Sequence, residues 1–177
     1  MPEPYRRIVC VSRAALNAHA RYTGYERTLT EFAPLPETMR PRLGRFIIDH
    51  LSQYEPFVDE LPTGDDRYMS HSFVHELWTG RAINPADAYI LGQELADRGK
   101  FLRDPERTLQ PGNIGVFTDR DEGFALQSFI SLGGEDTLQV VDANSHIGRA
   151  TLNQMLRHYN AVGIDAGVKL ADPAMLV

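Results

Sequence analysis

The sequence predicts an α+β fold, a helical N-terminal half packed on a small antiparallel sheet, within a single domain spanning residues 1–177. Apolar residues recur at three- and four-residue spacing as far as Gly99, and after Pro111-Gly112 the pattern changes to short β-type runs separated by Asp- and Gly-rich turns. The size agrees: a chain of 177 residues suits one core and buries roughly two-thirds of the surface of its unfolded form.

The first helix is expected from about Tyr5 to Arg21, with Ile8, Val11, Ala15 and His19 on one face and Gly24 ending it. A polar, proline-marked stretch from Thr28 to Pro41 leads into a second, in which Leu43, Phe46, Ile47, Leu51 and Tyr54 repeat at helical spacing. Pro56 and Pro62 close it, and Leu61-Pro62-Thr63-Gly64-Asp65-Asp66 reads as a turn. A third helix is expected to start at Ser70 as N-cap, to place Phe73, Val74, Leu77 and Trp78 against the sheet, and to end at Gly80. The fourth has the strongest boundaries: Asn84 as N-cap, Pro85 in the first turn, Leu91 and Leu95 inward, Gly99 at the C-cap. The strands Ile114 to Thr118, Phe124 to Leu132 and Thr137 to Ala143 form a meander. A short helix from about Arg149 to Tyr159 and an extended segment from Val162 to Leu170 complete the domain.

Composition narrows the function. No apolar run approaches the roughly 18 residues that cross a bilayer, and Ile8-Val9-Cys10-Val11 is too short for a signal peptide. The expected location is the cytoplasm, with non-classical export left open. Cys10 is the sole cysteine, so no internal disulfide forms, and its apolar flanks suit a small buried hydrophobe. A net charge of −6, with Lys100 and Lys169 the only lysines and the arginines scattered, argues against nucleic acid as partner. Trp78, Tyr89 and Phe117 suit the core better than a base-stacking platform. His71 and His75 share a helix face but lack a third ligand at recognisable spacing, so neither a metal nor another cofactor is expected.

Four phrases carry a resemblance. Ser70-His71-Ser72-Phe73-Val74 opens the third helix, Pro111-Gly112-Asn113 leads into the first strand, Gln127 lies on a strand that ends in a glycine turn, and Asp142 follows on the next. The order resembles the NlpC-type and CHAP members of the papain-like cysteine peptidase superfamily, over roughly Tyr5 to Gly148. The resemblance implies a site at Ser70, Gln127 and Asp142 in the places of the family's cysteine, histidine and third polar residue. That site is degenerate. A serine needs a general base to lose its proton during attack, and a glutamine amide does not titrate usefully.

The leading expectation is therefore a catalytically degenerate papain-like domain that binds a peptide, a cell-wall fragment or a protein partner through Ser70, His71, Gln127 and Asp142. One alternative is an active amide hydrolase using Ser70 or Cys10, with His71 or His146 as base. The other is a structural subunit of a larger assembly, contacted through Thr28 to Pro41.

Overall fold

A computed structural model describes residues 34–43, 67–140 and 147–176. The expected first helix, nearly all of the second, the turn before residue 67 and the end of the third expected strand lie outside the described residues. A helical turn over 39–43 is described, so Met39 to Pro41, expected in the polar stretch before the second helix, are helical; Met39 and Leu43, with Leu35 before them, are buried in the core.

Helix α1 (Arg67–Thr79) starts three residues earlier than expected. Ser70 is an interior residue of this helix and not its N-cap, and its hydroxyl is directed to a tertiary partner, the Ser128 N–H at 3.3 Å. Gly80 ends the helix at φ +75°, a left-handed conformation that costs glycine little, and its N–H donates to Glu76 O at 2.8 Å. Helix α2 (Pro85–Arg98) has the expected boundaries. The Asn84 side chain accepts from Asp87 N–H at 2.8 Å, and the Gly99 N–H donates to Leu95 O. Gly99 has φ −71°, so its role is close approach: a Cβ there would lie 2.8 Å from Leu95 O and 3.1 Å from Leu170 O.

The remaining elements are β1 (Lys100–Phe101), α3 (Pro105–Thr108), β2 (Ile114–Asp119), β3 (Ala125–Gly133), β4 (Asp136–Val140), β5 (Ile147–Thr151), α4 (Leu152–Ala161), β6 (Ala166–Leu170) and a 3-10 turn (Pro173–Leu176). The strands form one six-stranded antiparallel sheet in the order β1-β6-β2-β3-β4-β5. The fold is thus α+β, and its helices are not confined to the N-terminal half: α1 and α2 precede the strands, while α3 and α4 lie between them. β2 to β4 form the expected meander, β5 extends it by a strand that was not expected, and β6 returns across the sheet to pair with β2 and β1. Arg149 to Thr151, expected as helix, belong to β5. The helix starts at Leu152 because Thr151 and Gln154 form a reciprocal capping box, which contributes about 1 kcal/mol.

Side-chain alternation divides the sheet into two faces. Ile114 and Val116 of β2, Ile130 and Leu132 of β3 and Leu138 of β4 pack with Phe73, Val74 and Leu77 of α1 and Leu91, Leu95 and Ala96 of α2. Phe117, Phe129, Ala150 and Val168 of the opposite face pack with Leu152, Met155 and Tyr159 of α4. Phe117 lies 4.9 Å from Phe129 and 5.7 Å from Tyr159 between ring centroids, both tilted, which is favourable aromatic packing. The expected inward face of α1 is confirmed at Phe73, Val74 and Leu77. Trp78 is corrected: it is only half-buried, packed against the margin of the core.

Candidate functional site

The family resemblance places Ser70, Gln127 and Asp142 together. Ser70 is on α1, against the sheet face that carries Ser128, and is fully buried. Gln127 precedes Ser128 on the same strand, so its side chain leaves the opposite face. There its amide nitrogen donates to Gln139 Oε1 at 2.8 Å and its Oε1 accepts from the Tyr159 hydroxyl at 3.4 Å. The chain continues from Gln139 Nε2 to Thr137 Oγ1 and from Thr137 Oγ1 to Ala150 O. Gln127 thus belongs to a buried polar network under α4, and the sheet separates its side chain from Ser70. Asp142, Cys10 and His146 lie outside the described residues.

The residue facing α1 is Ser128. Its Oγ is 2.7 Å from His71 Nδ1, and its backbone N–H meets Ser70. A hydroxyl this close to an imidazole has the spacing of a nucleophile and its base. Burial argues for a structural role: Ser70 and Ser128 are 0% exposed and His71 1%, which leaves no surface for a substrate to touch. The His71 ring lies against Gly92 of α2, where a Cβ would overlap it. The hydrogen bonds therefore tie α1 to β3, and the His71 ring, packed against Gly92, brings α2 into the same cluster by close contact.

His75, one turn further along α1, has a different environment. It is half-buried, and its Nδ1–H donates to the Arg81 carbonyl at 2.9 Å. Thr79 Oγ1 donates to His75 O at 2.8 Å and accepts from Arg81 N–H at 3.1 Å, so the turn through Gly80 is held on both sides. Arg42 Nη1 donates to the carbonyls of Leu77 and Trp78, placing a cation at the helix C-terminus, where the helix dipole favours it.

These contacts set the wall of an open groove of about 510 Å³, lined by His75, Trp78, Thr79, Arg81, Ile83, Leu91 and Leu176. Its size lies within the roughly 300–1,000 Å³ of ligand sites, with apolar walls and a few polar groups. Among the described residues its ionisable groups are His75 and Arg81, and no carboxylate lines it. Among the described residues no Asp or Glu pairs with the Arg81 guanidinium, and the Trp78 indole N–H makes no hydrogen bond. Among the same residues no three His, Cys, Asp or Glu side chains gather in a metal-holding group, and no helix is long and apolar enough to cross a membrane.

Sequence reasoning missed Ser128, although it quoted the strand, and assigned Trp78 to the core. It left Arg81 unremarked. The usable signal was strand parity, since only every second residue of β3 can face α1. No family model, no curated protein and no solved structure matches the chain.

Proposed function

We propose that the chain is a non-catalytic, peptide-binding domain of NlpC-type papain-like layout, and that its ligand sits in the groove lined by His75, Trp78 and Arg81. The observation that carries this reading is the contrast along one helix: Ser70 and His71 are sealed in the core, while His75 and Trp78, one to two turns later, line an open apolar groove. A helix packed on an antiparallel meander supports the papain-like layout. The burial of Ser70, His71 and Ser128 supports the absence of turnover, because a substrate has to reach the nucleophile and its base.

The test combines turnover and binding on a defined mixture of tetrapeptides. The wild-type chain is expected to cleave none of them and to bind a subset by calorimetry. Ser128→Ala should retain that binding, while Ile83→Asp, which puts a charge against the apolar wall, should weaken it about tenfold or more. Turnover lost in Ser70→Ala or Ser128→Ala would make the chain a hydrolase and overturn the proposal.

A further inference from the structure

We infer that the groove recognises a peptide by its free C-terminal carboxylate, with an apolar last side chain seated against Trp78, Ile83, Leu91 and Leu176. The inference rests on the reading of the groove as a peptide site and specifies what that site selects.

The polar groups of the groove offer hydrogen bonds more than they accept them. Arg81 carries five N–H donors and, among the described residues, no carboxylate partner. The Trp78 indole N–H is a donor only, and is likewise without a hydrogen bond among these residues. Among the described residues no Asp or Glu lines the groove to repel an anion. In a chain of net charge −6, a groove that among the described residues carries an arginine without a carboxylate partner and no acidic side chain stands out. A planar carboxylate fits a guanidinium bidentately, and the resulting charge-assisted hydrogen bonds are about twice as strong as neutral ones. The walls set the other half of the preference, since four apolar residues favour an apolar body beside the acid. A peptide C-terminus supplies both groups, and the open side of the groove leaves room for the preceding residues to leave the protein. A free fatty acid would instead need a closed apolar tunnel for its chain.

Trp78 is the only tryptophan, so intrinsic fluorescence reports from the groove without a label. The probes are acetyl-Gly-Ala-Leu-Leu as the free acid, the same peptide as its C-terminal amide, and octanoate. The free acid is expected to shift Trp78 emission saturably and to bind about tenfold more tightly than the amide. Arg81→Ala should bring the two affinities together, and Arg81→Lys, which keeps the charge without the planar fork, should restore part of the difference. Cooperative unfolding of both variants shows that they are folded. Equal affinity of wild-type chain for acid and amide would overturn the carboxylate inference while the groove remains a peptide site. Octanoate binding as tightly as the peptide acid would overturn the peptide source. Binding of neither peptide, by fluorescence or calorimetry, would overturn the groove reading as well.

Discussion

Replacing Gly92 by alanine is expected to destabilise the domain by about 3 kcal/mol, near the upper end for a side chain added to a packed interior. The new methyl group would overlap the His71 ring, and that ring is buried and held at Nδ1 by Ser128. Moving the ring aside would break the hydrogen bond and leave buried polar groups without partners, at a further cost of about 1–3 kcal/mol. The effect should depend on His71. In the background His71→Ala, which removes the ring, Gly92→Ala should cost at least about 1 kcal/mol less than in wild type, as coupled neighbours do. Denaturant unfolding of the four proteins in the cycle measures this. Strict additivity would show that the ring does not hold α1 against α2.

On the other face of the sheet, Phe129→Ala should cost about 3–5 kcal/mol, the range for a fully buried aromatic truncated in a core. Phe129 stacks beside Phe117 and lies across its cross-strand partner Gly115, where a Cβ would overlap the ring. Gly115 is therefore the floor on which the ring rests, and glycine is required there for space and not for backbone conformation. Gly115→Ala in the Phe129→Ala background should be nearly tolerated, since the methyl group then enters the vacated volume. Thermal or denaturant unfolding reads both values. A loss below about 1 kcal/mol for Phe129→Ala would mean that the α4 layer is not closed over the sheet.

The local part of the fold was legible where one residue type answers one physical need. Asn84-Pro85 and Gly99 bounded α2 because a cap oxygen, a missing N–H and a close backbone approach each have few solutions. The meander was legible from turns containing Gly123 and Gly133-Gly134, all at positive φ. The position of β6 was not: the extended segment expected over Val162 to Leu170 is a strand only over Ala166–Leu170, and since a strand's own residues do not name its neighbour, only tertiary packing inserts it between β1 and β2. The start of α4 was placed too early because β5 and α4 adjoin without a loop, with Thr151 ending one and capping the other.

The site was less legible for a geometric reason. Gln127 and Ser128 are neighbours in sequence, yet one bonds Gln139 beneath α4 and the other His71 beneath α1. A one-residue difference in strand parity moves a side chain across the sheet, and a short family-like phrase does not fix parity. Ser70 looked like a cap because serine is favoured at that position, yet its hydroxyl meets the backbone N–H of Ser128, 58 positions away. The groove was hidden for the opposite reason: its walls come from α1, the turn after it, α2 and the 3-10 turn at Leu176, and no contiguous motif joins them.

His71 and His75 lie one helical turn apart, one sealed beside Ser128 and one lining the groove, so a single footprinting measurement separates the two assignments. The folded chain is treated with diethyl pyrocarbonate, with and without the free-acid peptide, and acylation of each histidine is followed by mass spectrometry of proteolytic fragments. His75 is expected to be acylated at its Nε2, because Nδ1 is engaged by the Arg81 carbonyl, and to be shielded when the peptide binds. His71 should stay unmodified until the protein unfolds. Acylation of His71 in the folded chain as fast as His75, with the peptide protecting His71, would place the ligand at the Ser70 and Ser128 pair and contradict the account.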